Sequence, residues 1–245
     1  MPAMCTRKRI EEVRERIRRA ERAAGRPDGS VRLVAVTKTF PAEAVLEAYR
    51  AGLREFGESY AQEALMKQSC LGHCDVTWHF IGPIQSNKTR GIAQRFQWVH
   101  SVDRIKIAER LNEQRPGTLP PLNVCIQVNV SGEETKSGAR FDELALLTAA
   151  VRQLPRLRLR GLMTVPAPDQ PFEAQRAAFR RLREALASLP RPGLDTLSMG
   201  MSDDLEAAVL EGATIVRVGS AIFGDRPRKP SVQQSASSEQ ERPVS

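Results

Sequence analysis

The sequence predicts an α/β fold, a single (β/α)8 TIM-type barrel preceded by one extra N-terminal helix. Three observations predict it. Short apolar runs such as VRLVAV, rich in β-branched residues, alternate with longer amphipathic stretches. The alternation yields eight strand-then-helix units between Val31 and Gly224, whereas a doubly wound open sheet usually has fewer strands. The carboxyl ends of the strands are polar while their starts are apolar or unremarkable, and barrels concentrate their chemistry at the carboxyl ends. A chain of 245 residues is an ordinary length for one such domain.

The elements follow in order. An amphipathic helix over 7–24 is ended by Gly25 and Pro27. Strand 1 runs Val31 to Thr37, and Pro41 opens the next helix, to Ala51. Strand 2 is short, Glu55 to Gly57, with a helix from Tyr60 to Lys67. Strand 3, Thr77 to Ile81, precedes a helix around Lys88 to Arg95. Strand 4 is Trp98 to His100, and Asp103 starts a helix to Asn112. Strand 5, Leu122 to Asn129, leads to a helix from Phe141 to Gln153, and strand 6, Arg158 to Met163, to a helix from Phe172 to Leu189. Strand 7 is Thr196 to Ser198, with a helix from Asp203 to Glu211. Strand 8, Thr214 to Val218, ends in a helical turn at Ala221 to Phe223. Residues 1–224 make the barrel. Residues 225–245, rich in Pro, Ser and Gln, are expected to be a disordered tail.

The formal charge of +8 is uneven: residues 1–30 carry nine Lys/Arg and five Asp/Glu, a net of +4. Arg7, Arg14, Arg18 and Arg22 interleave with Glu11, Glu15 and Glu21, which suits a solvated helix with i,i+4 ion pairs better than a nucleic-acid stripe. Aromatic residues make up only 5% of the chain, which further weakens the case for a base-stacking surface. Cys70 and Cys74 in CLGHC have metal-like spacing, but zinc needs about four ligands, and the other histidines, His79 and His100, lie on expected strands. No metal is assigned. With no apolar run near 18 residues and no signal segment, the chain reads as cytoplasmic, with reduced thiols and no membrane partner.

The strand ends form a polar ring of Lys38, Glu58, His79, Ser101, Asn129, Met163-Thr164, Ser198 and the run Arg217 to Ser220. Lys38 ends a run buried on both faces. Desolvation there lowers an amine's pKa, and a neutral amine can form a Schiff base with an aldehyde. A lysine merely emerging into water is the other reading. Past strand 8, Gly219 permits close backbone approach, Ser220 offers a hydroxyl, and the following amides favour an anion. After strand 7, Ser202 reads as the N-cap of the next helix, an N-terminus that can also receive phosphate. A reactive lysine and a phosphate cradle in one barrel point to pyridoxal 5'-phosphate (PLP).

The motifs AVTKTFP, FGESYAQE, WHFIGPIQSNK, VHSVD, VNVSGEETKSG, RGLMTV, LSMGMSDDLEAA and RVGSAIFG together resemble the pyridoxal phosphate homeostasis proteins (the YggS/PROSC family), over roughly residues 7 to 224. That family is similar to the N-terminal barrel of alanine racemases. The resemblance implies a PLP aldimine on Lys38, phosphate contacts from Ser202, Gly219 and Ser220, and Arg217 facing the pyridine nitrogen. It implies that His79, Ser198 and Met201 line the pocket. One departure is Ser59, in GESY where the family has GENY. Serine has less reach and fewer donors than asparagine.

An arginine beside the pyridine nitrogen disfavours ring protonation and weakens the electron sink that carbanion chemistry needs. The racemases supply a second acid/base tyrosine from an added domain. The only tyrosines here are Tyr49, expected mid-helix, and Tyr60, at a helix start. The expectation is therefore a PLP carrier or buffer in vitamin B6 homeostasis without dedicated catalysis. It is expected to be a monomer, with PLP itself and apo PLP-dependent enzymes as partners. An active PLP enzyme such as a slow racemase, a cofactor-free Schiff-base aldolase and a basic nucleic-acid- or partner-binding barrel remain alternatives.

Overall fold

Each predicted strand forms, and all eight pair in parallel in sequence order until β8 returns to β1. The computed structural model describes residues 2–133, 136–190 and 192–225, with side chains from Thr6 onward. The strands are β1 (Arg32–Val36), β2 (Glu55–Glu58), β3 (Thr77–Phe80), β4 (Trp98–Val102), β5 (Leu122–Gln127), β6 (Leu157–Met163), β7 (Thr196–Ser198) and β8 (Ile215–Val218). They form a closed barrel in the order β1 to β8, and closure removes every free sheet edge. The register places Val34 beside Arg217 and Met163 beside Ser198.

The helices are α1 (Pro2–Ala23), α2 (Ala42–Arg50), α3 (Ala61–Cys70), α4 (Thr89–Arg95), α5 (Ile105–Gln114), α6 (Leu144–Arg152), α7 (Phe172–Ser188), α8 (Leu205–Leu210) and α9 (Ser220–Phe223). Boundaries differ from the sequence expectation in understandable ways. α3 runs through Cys70 because its Lys67 is drawn inward by carboxylates and keeps the helix against the barrel. α4 and α6 are each preceded by a 3₁₀ turn, Ser86–Lys88 and Phe141–Glu143. β4 extends to Val102, since its five residues are buried on both faces. The expected tail, from residue 226 on, lies outside the described residues.

α1 is more than a solvated helix. Lys8–Glu12, Arg14–Glu11 and Arg18–Glu15 pair along its outer surface. Its other face is built into the barrel. Ile10, Val13, Ile17 and Ala20 are buried in the core. Fully buried Glu21 accepts from the amides of Gly29 and Val31 and from the Ser30 hydroxyl, which fixes the start of β1. Arg16 spans to α8, pairing with Glu206 at 2.6 Å and donating to the Ser202 carbonyl at 2.8 Å. The extra helix thus braces the loop after β7.

The inside of the barrel is layered. Val34, Trp98, Cys125, Met163 and Ile215 form a small apolar cluster apart from the main core. Beside it lie the fully buried polar side chains of His79, His100 and Ser198, and Arg217. Branched aliphatic residues usually fill such interiors, and buried polar groups persist only with partners.

Candidate functional site

The carboxyl ends of β1 and β8 and the loop after β7 enclose a cavity of about 280 Å³ lined by Val36, Lys38, Ser59, Ile81, Val165, Met201, Ser202, Asp203, Arg217, Gly219 and Ser220. Six of the eight expected binding residues lie in this wall. His79 and Ser198 do not; they sit behind Arg217 inside the barrel.

Lys38 follows β1 in a turn fixed on both sides. Thr37 donates to Glu58 Oε1 at 2.5 Å, and the Thr39 amide donates to Glu63 Oε1 at 2.6 Å. Thr39 has φ 71°, in the left-handed region that a β-branched residue seldom adopts. Lys67 Nζ donates at 2.6 Å to the Thr37 carbonyl, Glu58 Oε1 and Glu63 Oε1. Burial pushes the Glu58 carboxyl above its ordinary value, against the pull of Lys67.

Across the cavity, Ser202 is not the N-cap of α8; Asp204 occupies that position. Asp204 instead accepts the Met201 amide at 2.5 Å, which leaves the Ser202 hydroxyl for the facing loop. It lies 3.0 Å from Ser220 Oγ and accepts from the Ala221 amide at 3.3 Å. The two serines therefore meet at one point of the wall, where hydroxyls and the first amides of the turn after β8 converge. Gly200 lets the start of the loop after β7 pack directly on α8 and β8. Its φ is +98°, and a Cβ there would stand 2.7 Å from the Ala208 Cβ. Gly219 lies against β1, where a Cβ would meet the Val36 carbonyl at 3.3 Å.

Arg217 is the cationic wall. Its Nη1 donates to Ser198 Oγ at 2.7 Å and its Nη2 to the Thr164 carbonyl at 2.8 Å. Burial brings its pKa down to about 10, against the pull of Asp204, so it stays charged at neutral pH. Behind it, His100 Nδ1 is 2.6 Å from Ser198 Oγ, and His79 Nδ1 is 2.9 Å from His100 Nε2.

The other ring members serve the scaffold. Glu58 turns toward Lys67 on α3. Ser101 donates to the Gly82 carbonyl at 2.5 Å. Asn129 donates to the Glu133 carbonyl and accepts from the Ser131 hydroxyl and the Gly132 amide, shaping the loop after β5. Val36, Ser59, Ile81, Val165 and Asp203 also line the cavity and are absent from the expected binding set, although all lie at or after strand ends where the carboxyl-end rule points. Among the described residues no group of three or more His, Cys, Asp or Glu is placed to hold a metal ion, and no helix is long and apolar enough to cross a membrane.

An amine, a fixed guanidinium and a hydroxyl-and-amide cradle around one small cavity fit a compact ligand with an aldehyde, a ring acceptor and a phosphate. The alanine racemase N-terminal domain family matches residues 9–227. The pyridoxal phosphate homeostasis protein of Pseudomonas aeruginosa is 65% identical over 217 residues, which is 89% of this chain and 94% of that protein. Its counterpart in Escherichia coli is 51% identical over 222 residues, covering 89% and 95%. The solved structure of PipY from Synechococcus elongatus with PLP bound is 36% identical, with a TM-score of 0.79 over 89% of this chain and all of that one. Alanine racemase from Corynebacterium glutamicum, 20% identical with a TM-score of 0.59, covers 87% of this chain and 60% of its own and shows the shared fold. The chain belongs to the alanine racemase N-terminal domain family and, within it, to the pyridoxal phosphate homeostasis proteins.

Proposed function

We propose that this protein holds PLP in the cavity between Lys38 and the Ser202–Ser220 cradle and acts as a carrier or buffer in vitamin B6 homeostasis, without dedicated catalysis. The observation that carries this reading is the convergence of Lys38, Arg217, Ser202, Gly219 and Ser220 on one wall of about 280 Å³. Its relatives named as pyridoxal phosphate homeostasis proteins and the PLP-bound PipY support it. When bound, the cofactor would supply an aldehyde for a primary amine to condense with, releasing water. Lys38 provides that amine, held in a turn whose two flanking residues are hydrogen-bonded in place. Ser202 and Ser220 would hold the phosphate, and Arg217 would donate toward the ring. Met201 and Val165 give the cavity its apolar surface. The same reading makes the protein a cytoplasmic monomer that passes PLP to apo PLP-dependent enzymes.

The experiment is spectroscopic. Purified protein supplied with PLP should absorb near about 420 nm. Borohydride should fix a pyridoxyl group that peptide mapping places on Lys38, and Lys38→Ala should abolish both signals. A label on Lys88 or Lys136 would show that the site is wrong.

A further inference from the structure

We infer that Ser198, His100 and His79 form a one-way hydrogen-bond relay through the barrel, directed toward Glu55, which fixes the orientation of the Arg217 guanidinium beside the cavity. These three are positioning residues. Their ligand-facing consequence rests on the PLP reading above, whereas the relay itself is a property of the empty chain.

The polarity follows from counting donors. A guanidinium only donates, so Ser198 Oγ accepts from Arg217 Nη1 at 2.7 Å. The Ser198 hydroxyl proton then goes to His100 Nδ1, 2.6 Å away. That leaves His100 Nε2 carrying its proton, which it donates to His79 Nδ1 at 2.9 Å. The remaining His79 proton is on Nε2, which lies 3.2 Å from Glu55 Oε2. That last contact is within ion-pair distance but is not aligned as a hydrogen bond. Run in reverse, the chain would face a bare His79 nitrogen toward a carboxylate, two acceptors with no proton between them.

The surrounding charges favour neutral rings. Arg32 on β1 and Arg160 on β6 stand over the Trp98 ring at 4.6 and 4.9 Å, and Trp98 stacks on His79 at 5.7 Å. Arg217 on β8 lies at the other end of the row, with Cys125 on β5 and Asp204 beyond it. Among the described residues Glu55 on β2 is the only acid in contact with either ring, and it is shared with Arg32 at 3.5 Å. Burial pushes both histidines down. The pull of Glu55 opposes this at His79, while His79, Arg217 and Arg32 add to it at His100. The far end is open to water, because Glu55 and Arg32 line a separate cavity of about 340 Å³ between α1 and the amino ends of β1 and β2.

The consequence falls on Arg217. With one edge pinned by Ser198 and the Thr164 carbonyl, its other N–H groups are the ones the cavity sees. On the PLP reading those groups would face the ring nitrogen, and the part of the relay is to fix where they point.

Two measurements test this. Long-range ¹H–¹⁵N NMR on histidine-labelled, cofactor-free protein reads the tautomers directly, with exposed His73 as the control. His79 and His100 should both be neutral Nε2–H tautomers from about pH 8 to about pH 5.5. An Nδ1–H tautomer or a cationic ring at neutral pH, at either residue, would overturn the relay. Ser198→Ala should then weaken retention of PLP about tenfold, the worth of a charge-assisted hydrogen bond, and leave unchanged its 1-deaza analogue, which has CH in place of the ring nitrogen. Equal losses for the two compounds would overturn the ligand-facing role. A wild-type protein that takes up neither compound would sink the cofactor reading, and the tautomers would still decide the relay.

Discussion

Lys67 Nζ lies 2.6 Å from Glu58 Oε1 inside the barrel wall, and neither side chain reaches solvent to any useful degree. The same amine holds the Thr37 carbonyl and, through Glu63, the Thr39 amide, so the pair anchors both neighbours of Lys38. Removing one partner of a buried pair leaves an uncompensated charge, at a cost of about 3–5 kcal/mol. Lys67→Met should therefore lower stability by that amount in urea unfolding. Adding Glu58→Gln should recover much of the loss, because the orphaned charge goes with it. A single variant within about 1 kcal/mol of wild type would mean that the pair is not holding the turn.

The buried histidines set an acid limit. His79 and His100 have folded-state pKa values below the ordinary histidine value, both chiefly through burial. Below about pH 6.5 the unfolded chain binds protons at these positions that the folded chain refuses. Stability should therefore fall as pH drops through that value, by up to ~1.4 kcal/mol per pH unit for each histidine. Glu55, Glu206 and Glu211, whose pKa values are lowered, act in the same direction but only below about pH 4.5. Between about pH 6.5 and 5 a His79→Gln/His100→Gln double variant should thus lose the histidine part of the slope, leaving only the opposite contribution of Glu58, Asp103 and Asp204, whose carboxyls burial pushes up. An unchanged slope there would assign the acid sensitivity elsewhere.

The phosphate cradle makes a separable prediction. The Ser202 and Ser220 hydroxyls stand 3.0 Å apart on the cavity wall. Hydrogen bonds to a charged group are each worth roughly 1.5–3 kcal/mol. Ser202→Ala with Ser220→Ala should weaken PLP retention tens-fold or more and leave pyridoxal, which has no phosphate, nearly unaffected. If equilibrium dialysis finds both ligands equally weakened, the serines act on folding or on the ring.

What could be read from the sequence divides along physical lines. Strand and helix identity was legible because apolar period and punctuation are local, as at VRLVAV before Lys38 and Pro41. The carboxyl-end rule located Lys38, Arg217, Gly219 and Ser220, because strand direction alone places them in one rim. It could not separate side chains that turn into the cavity from those that turn inward or toward the helices. His79 and Ser198 went inward and Glu58 went to α3. That choice depends on barrel tilt and register, which no short window of sequence encodes. Ser202 was read as a cap from its spacing, but Asp204 took the cap position and Ser202 bonded across the seam to Ser220. Lys67 gave no signal at all. A lysine at helical spacing beside Glu63 looks solvated until the sheet behind it supplies Glu58.

The last prediction is an absence of chemistry. The PLP-loaded protein should show no racemase, transaminase or decarboxylase activity above free PLP. Proton abstraction and return on opposite faces of an amino acid require a second acid/base group, typically worth about 10²–10⁴ in rate. Neither tyrosine can serve. Tyr49 lies on α2 under the Arg54 guanidinium, 4.0 Å from its ring, and Tyr60 is exposed at the start of α3. Neither lines the cavity. The one carboxylate in the wall, Asp203, stands next to Ser202 in the loop after β7. Arg217 remains charged, with a pKa of about 10, and on the proposed reading it would oppose protonation of a ring nitrogen beside it and weaken the electron sink that stabilises a carbanion. Hydrogen exchange at Cα of L-alanine in D₂O, followed by NMR, is the sensitive assay. Exchange near about one per second, an ordinary though slow enzymatic rate, that disappears in Lys38→Ala would make this protein an enzyme and displace the carrier reading.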